Sequence, residues 1–331
     1  MEVSMSQKFR WGILSTGNIA KTFARGLTSI DDAELVAVGS RTRESADRFG
    51  DEYSVPHRHS TYEDLARDPD VDAIYVATPH PMHHDNAILC LEHDKPVLVE
   101  KPFTVNASEA KRVIETARSR GVFCMEAMWT RFLPVIAKLR EIVESGEIGD
   151  VRMVQANFAF RAQFNPESRL FKPELGGGGL LDVGIYAISF ARMIMKNAPL
   201  EVYSMADMGK TGVDEQAAII LRYGAERMAM LMCGTRVTTK HDACVYGTDG
   251  YAIVHHPFWH GTKLTVKKGD DEQTLEIPYD GNGYTHEARE VMTCVRAGKL
   301  ESDVMPLDET HSIMKTLDWV RSQWNLEYPW E

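Results

Sequence analysis

From Phe9 to Met125, short apolar and β-branched runs alternate with longer amphipathic stretches. Brief apolar runs between polar residues suit strands buried on both faces. Apolar positions recurring every three to four residues suit helices laid across such a sheet. The runs place strands at Arg10–Leu14, Leu35–Gly39, Ala73–Ala77, Val97–Val99 and Val122–Met125. The amphipathic stretches place helices at Ile19–Leu27, Arg43–Tyr53, Tyr62–Ala66, His84–Glu92 and Ser108–Arg120. Strand and helix in strict alternation predict a doubly wound parallel sheet.

The texture changes after Glu126. A helical pattern over Leu133–Ser145 leads to a strand at Val151–Phe160, a loop, a glycine run and a helix from Leu180. Strand patterns then follow at Ala217–Tyr223, Arg227–Thr235, Ala243–Gly247, Ala252–His255, Lys263–Lys267 and Thr274–Ile277, at hairpin-like spacing that predicts a mostly antiparallel sheet. Helical patterns return at His286–Ala297 and Leu307–Trp324. The expectation is an α/β chain of two domains, a dinucleotide-binding domain over 8–126 and an α+β domain over 127–331, as its 331 residues also suggest.

Charge narrows the partners: 37 Lys and Arg against 48 Asp and Glu give a net charge of −11, which repels phosphate backbones and anionic lipid. No nucleic-acid or membrane partner is expected, and no stretch reads as long and apolar enough to span a bilayer. Met1–Ser6 lacks the basic and apolar regions of a leader. The five cysteines, widely spaced and without a C-x-x-C pair, read as reduced thiols of a cytoplasmic protein.

Candidate chemistry begins where the first strand opens into a helix, at Ser15-Thr16-Gly17-Asn18-Ile19-Ala20. The place is that of the G-x-G-x-x-G/A dinucleotide fingerprint, with serine for the first glycine. Gly17 allows backbone to approach a pyrophosphate, and the helix N-terminus offers free N–H groups. An ordinary glycine turn would look alike in isolation; the surrounding strand–helix–strand unit sets this one apart. The second strand ends in Ser40-Arg41-Thr42-Arg43, where an acid would bind the ribose hydroxyl of NAD and arginine suits the 2′-phosphate of NADP. NADP is therefore expected, with NAD the alternative. Elsewhere such a pair would be solvated surface charge.

The strand Val97–Val99 runs into Glu100-Lys101-Pro102, an acid and a lysine at the carboxyl edge of the sheet, where such folds bind ligands. A second motif, Gly176-Gly177-Gly178-Gly179-Leu180-Leu181-Asp182-Val183-Gly184-Ile185-Tyr186, feeds a helix that places Asp182 and Tyr186 on one face. Tyr186 can exchange a proton with a carbonyl or alcohol oxygen if a cation such as Lys101 stabilises its phenolate, and Asp182 can orient substrate hydroxyls. A structural aspartate and a packed tyrosine would show the same spacing.

With these motifs in hand, the chain resembles the glucose-fructose oxidoreductase and inositol dehydrogenase (Gfo/Idh/MocA) family. Glu100-Lys101-Pro102 and the glycine segment with Asp182 carry the likeness, joined by Arg10–Ser15, Met125–Phe132 and Leu181–Tyr186. Within the family it is most like the NADP-dependent dehydrogenases of dihydrodiols and xylose, where tyrosine stands in place of a histidine common elsewhere. The resemblance implies a Rossmann domain, a large open sheet in the second domain, Lys101 and Tyr186 working together, and a homodimer formed through that sheet. It also implies a sugar, polyol or trans-dihydrodiol substrate, and puts the loop with Thr78, His80 and His83 beside the nicotinamide.

His80-Pro81-Met82-His83-His84 has no acidic or cysteine ligands at metal spacing, so no metal is expected and these residues read as cofactor-edge or helix-capping groups. His59, His255 and His256 read as surface or packing residues. Trp129, Arg131 and Phe132 are candidates for lining the substrate pocket. A cofactor-binding redox regulator without turnover is the alternative reading. NAD-assisted glycoside cleavage fits Arg41 and Arg43 poorly.

Overall fold

The computed structural model describes residues 8–331; the leader reading of Met1–Ser6 lies outside them. The chain forms two compact units that interleave in sequence. The first takes residues through Thr104, Ser108–Trp129 and Asp280–Leu307, and the second takes Val105–Ala107, Thr130–Tyr279 and Asp308–Glu331. The sequence reading placed one boundary, between 126 and 127. The segment from Asp280 returns to the first unit through partners distant in the chain, which no local pattern announces.

In the first unit, strands β1 (Phe9–Leu14), β2 (Ala33–Gly39), β3 (His57–His59), β4 (Ala73–Val76), β5 (Val97–Glu100) and β6 (Cys124–Ala127) form one sheet in the order β3-β2-β1-β4-β5-β6. All pairings are parallel. Helices α1 (Asn18–Leu27), α2 (Arg43–Tyr53), α3 (Tyr62–Ala66), α4 (His83–Glu92) and α5 (Ala107–Arg120) are its crossovers. Both faces of the central strands are covered, so Ile13, Ile74 and Val97 to Val99 are wholly buried. Trp11 packs edge-on against Phe23 of α1, which stacks on Tyr75 of β4 at 3.9 Å. The returning segment docks on α1: Asn282 donates to the Thr22 carbonyl at 2.7 Å and Thr285 to that of Gly26 at 3.0 Å. Strand β3 went unforeseen because its residues, His-Arg-His, are polar.

The second unit contains α6 (Pro134–Glu144), β7 (Val151–Ala159), a π-helical turn (Leu180–Gly184) and α7 (Ile185–Met195), then β8 (Glu201–Met208), β9 (Asp214–Tyr223), β10 (Arg227–Gly234), β11 (Ala243–Gly247), β12 (Gly250–Val254), β13 (Lys263–Lys268) and β14 (Asp271–Glu276). The strands line up as β14-β13-β12-β11-β7-β10-β9-β8, with only the β7–β10 pair parallel among the described residues. Helix α7 packs across β7 and β10 on one face. On β10 that face buries Ala229, Leu231 and Cys233, while Met228, Met230 and Met232 point outward. Their neighbours Ile220, Tyr203 and Met205 are exposed as well, so the outward face is also apolar. β8 escaped the sequence reading for this reason: an apolar outward face erases the contrast that marks a strand.

Helices α8 (Tyr284–Arg296) and α9 (Leu307–Ser322) complete the chain. One correction concerns hydropathy. The run Pro173–Met195 is long and apolar enough by composition to cross a bilayer, yet 94% of its most apolar window is buried within the structure, as the central helix of a core would be.

Candidate active site

The candidate cofactor residues lie in the first unit. β1 ends in Ser15, whose φ is +100°, a backbone conformation that glycine adopts freely and serine does not. The fingerprint's glycine requirement is thus present in the backbone though absent from the side chain, and strain of this kind concentrates at functional sites. Gly17 caps α1 with no side-chain hydrogen bond, leaving its first N–H groups for an anion. A Cβ on Gly17 would meet only Ser15 Oγ, at 4.0 Å, so the approach is open. Thr16, Asn18 and Ile19 surround this turn.

At the end of β2, Ser40 is buried and donates its N–H to the His59 carbonyl at 3.1 Å. Arg41 is exposed and stands beside the Tyr62 hydroxyl. Arg43 is differently placed. Its Nε lies 3.0 Å from both oxygens of Asp47 one turn along α2, and its Nη1 donates to the Arg58 carbonyl. Arg41 is thus left exposed at the strand end, and Arg43 braces the loop.

Lys101 follows β5 and joins Pro102 by a cis peptide. Its N–H donates to Glu100 Oε2 at 3.0 Å, while the Tyr75 hydroxyl donates to Oε1. The Glu100 carboxylate therefore fixes the turn that carries the lysine. Glu287 of α8 is buried in the same unit with neither carboxyl oxygen hydrogen-bonded. Burial first, and then Glu100, push its pKa well above the usual carboxylate range. His83 is wholly buried, its ring nitrogens 2.8 Å from the Pro102 carbonyl and 2.7 Å from that of Thr78. It staples the loop after β4 to the loop after β5. Thr78 accepts from Asn86, and His80 is buried edge-on to the His83 ring.

In the second unit the candidate residues are built on the glycine run. Gly178 has φ +114°, and a Cβ there would strike Asp214 Oδ1 at 2.2 Å. Asp214, wholly buried, accepts the Leu180 N–H at 2.7 Å and so caps the helical segment. Burial raises its pKa to about 7 against the pull of these backbone N–H groups. The segment starts with the π-helical turn, a departure from the plain helix expected and a feature often found at functional sites. Gly184 permits it, since a Cβ would meet Cys233 Sγ at 2.9 Å. Asp182 is buried and paired with Arg169 at 2.7 Å. Tyr186 is 7% exposed and tilts against Phe158, which stacks on Trp259.

Arg131 is 3% exposed, its Nε donates to Ser189 Oγ at 3.0 Å, and its Nη2 meets Glu309 at 2.6 Å. It braces the second unit from within. Trp129 is buried and stacks on Tyr284 at 4.8 Å, and Phe132 is half-buried. Sequence reasoning missed Arg169, Asp214 and Glu287, whose partners lie outside any local motif.

Two family models match the chain: an oxidoreductase family with an NAD-binding Rossmann fold over residues 9–128, and the GFO/IDH/MocA C-terminal domain over 136–253. Two relatives named trans-1,2-dihydrobenzene-1,2-diol dehydrogenase align over nearly the full length. The Xenopus tropicalis protein is 34% identical, over 97% of this chain and 99% of its own. The human protein is 36% identical, over 97% and 98%.

The chain belongs to the GFO/IDH/MocA oxidoreductase family.

It is accordingly a dehydrogenase or reductase with an NAD(P)-binding Rossmann domain. Solved structures agree on the fold of this GFO/IDH/MocA member. The aldose-aldose oxidoreductase of Caulobacter crescentus, complexed with glycerol, superposes with TM-score 0.88 at 22% identity, covering 96% of this chain and 97% of its own. The 3-ketoreductase KijD10 of Actinomadura kijaniata, in complex with NADP and TDP-benzene, gives 0.84 at 23%, covering 96% and 98%. For the family reading, the glycine-like backbone of Ser15 is the informative detail: the fingerprint is kept in geometry where it is lost in letters.

Proposed function

We propose that this enzyme moves hydride between NADP and a carbinol or carbonyl carbon of a sugar, polyol or trans-dihydrodiol, with Tyr186 and Lys101 handling the proton. The observation that carries the reading is the buried pair on the glycine-led helix. Asp182 is held by Arg169 and Tyr186 is fixed by Phe158, in a chain whose other unit is a nucleotide fold with Lys101 at a strand's carboxyl end.

NADP, when bound, supplies or accepts the hydride. Residues Ser15 to Ile19 would hold its pyrophosphate at the α1 N-terminus, and Ser40 and Arg41 its 2′-phosphate; no acid stands among Ser40-Arg41-Thr42-Arg43 to favour NAD. Reduction of a carbonyl leaves an oxygen that needs a proton, and oxidation of an alcohol must lose one. The Tyr186 hydroxyl takes both parts. An ordinary tyrosine titrates near roughly pH 10, so the reaction at neutrality needs a cation to stabilise the phenolate, the role assigned to Lys101. Asp182 orients substrate hydroxyls by accepting their hydrogen bonds.

A panel of aldoses, polyols and trans-dihydrodiols, assayed with NADP and NAD by the absorbance of the reduced nicotinamide, tests the reading. Turnover with NADP on one of these classes is expected. Tight NADP binding with no turnover on any of them would return the protein to the regulator class.

We also propose a homodimer closed by the outward face of the eight-stranded sheet. A contiguous apolar patch formed by Met228, Met230, Met232, Ile220 and Met205 supports this. Light scattering that gives a monomer mass at every concentration would remove it.

A further inference from the structure

Strand β3 lies at the edge of the parallel sheet. Its His57 and His59, two apart, share one face of the strand. Their rings converge on a single oxygen: His57 Nδ1 lies 2.7 Å and His59 Nε2 2.8 Å from Asp68 Oδ2. The three candidate ligand atoms lie within 4.8 Å of one another. Asp68 is rigid, its side chain 3% exposed, its Oδ1 accepting the Asp70 N–H at 2.9 Å and its carbonyl accepting Lys95 Nζ at 2.6 Å. The imidazoles are half-buried, with side-chain exposures of 37% and 22%, so ions reach them from solvent. Behind His57, its second nitrogen lies 4.0 Å from the Asp70 carboxylate.

We propose that His57, His59 and Asp68 form a binding site for a zinc-class divalent cation, completed by water. Two imidazoles and a carboxylate suit zinc, cobalt or nickel, whereas calcium and magnesium call for oxygen ligands alone. Metal–ligand bonds of about 2.0 to 2.2 Å at tetrahedral angles put nitrogen and oxygen roughly 3.3 Å apart. Each nitrogen must therefore move back about half an ångström from Asp68, a small rotation for a half-buried ring. On binding, the cation replaces the hydrogen bonds between imidazole and carboxylate: each ring offers it the lone pair of the nitrogen that faces Asp68 and carries its proton on the other nitrogen.

The site bears on the cofactor loop through the same strand. The His59 carbonyl accepts the Ser40 N–H, and the Arg58 carbonyl accepts from Arg43. A cation that fixes β3 thus fixes the loop assigned to the 2′-phosphate, a link that rests on the NADP reading above; the metal site itself does not.

Calorimetric titration of the full chain with zinc, after chelator treatment, should show one equivalent bound. His57→Ala and His59→Gln should each weaken it by about tenfold or more, with unchanged circular dichroism of the metal-free protein and a small drop in its melting temperature from the lost hydrogen bond to Asp68. Cobalt should give the visible d–d absorption of a low-symmetry site in the wild type only. No saturable zinc binding, or binding equally tight in both variants, overturns the site. For the link, zinc should tighten NADP binding in the wild type and leave both variants unmoved. Zinc that binds at one equivalent without altering NADP affinity overturns the link and leaves the metal site standing.

Discussion

Two glycine-bearing turns lead into helices in this protein, and they end differently. In the first unit, the Ser15–Gly17 turn leaves the N-terminus of α1 without a side-chain cap, and open space surrounds Gly17. In the second, the Gly176–Gly179 turn presses on Asp214, whose buried carboxylate already takes the Leu180 N–H. The local device is the same: permissive backbone followed by unpaired donors. One is left for an anion from outside, and the other is closed by a carboxyl group from within. A glycine loop before a helix is therefore not evidence of a phosphate site until the fate of the helix's first N–H groups is known. In the second unit the loop instead sets Asp182 and Tyr186 on a stiff segment.

The contrast predicts where function and where stability should fail. Tyr186→Phe keeps the ring against Phe158 and deletes the hydroxyl. Turnover should drop by roughly 10²- to 10⁴-fold while NADP affinity, measured by nicotinamide fluorescence, is unchanged. Near-normal turnover would mean that the second loop positions something other than the proton donor.

Asp214→Asn tests the closed turn. The folded pKa of about 7 lies above the ordinary carboxylate value, so Asp214 favours the folded state fully below pH ~4 and this contribution is lost as pH rises through about 7. Asparagine still accepts the Leu180 N–H but does not titrate. Unfolding free energies from urea titrations across this window should fall for the wild type by an amount on the order of a few kcal/mol more than for the variant. Parallel profiles would show that Asp214 is ionised at no such cost.

The open turn is tested by its cofactor. Arg41→Ala should raise KM for NADP about tenfold or more, the worth of a charge-assisted hydrogen bond, and spare KM for NAD. Equal losses with both would separate Arg41 from the 2′-phosphate. The smallest effect is expected of Ser15→Gly, which relieves a left-handed serine at the cost of a freer unfolded chain. Stability should hold or rise by about 1 kcal/mol with cofactor binding kept. A clear loss in thermal melting would assign the serine hydroxyl a role that its backbone does not reveal.

What the sequence made legible follows from the range of the physics behind it. Strands such as Val97–Val99 announce themselves because burial on both faces leaves a run of apolar letters, and Glu100 and Lys101 could be placed because they continue that run to the sheet's edge. The Rossmann order and the mixed second sheet were within reach of such patterns. β3 was not, since His57 and His59 face polar partners. The π-helical turn sets Gly184 close against Cys233 on β10, an approach that no spacing records. Arg131 looked like a pocket residue because its sequence neighbours are aromatic, while the groups that claim its guanidinium, Ser189 and Glu309, lie far along the chain. Arg169 behaves likewise toward Asp182.

The return of residues 280–307 to the first unit has a consequence for biosynthesis. As the chain leaves the ribosome, every strand of the parallel sheet is made before the eight-stranded sheet begins, yet α8 comes only after that sheet is finished. Until then the carbonyls of Thr22 and Gly26 lack Asn282 and Thr285, and Trp129 lacks the ring of Tyr284. The nucleotide-binding unit, first to be translated, is therefore among the last to be sealed, and a nascent chain stalled before Asp280 carries an unfinished cofactor domain for chaperones to hold.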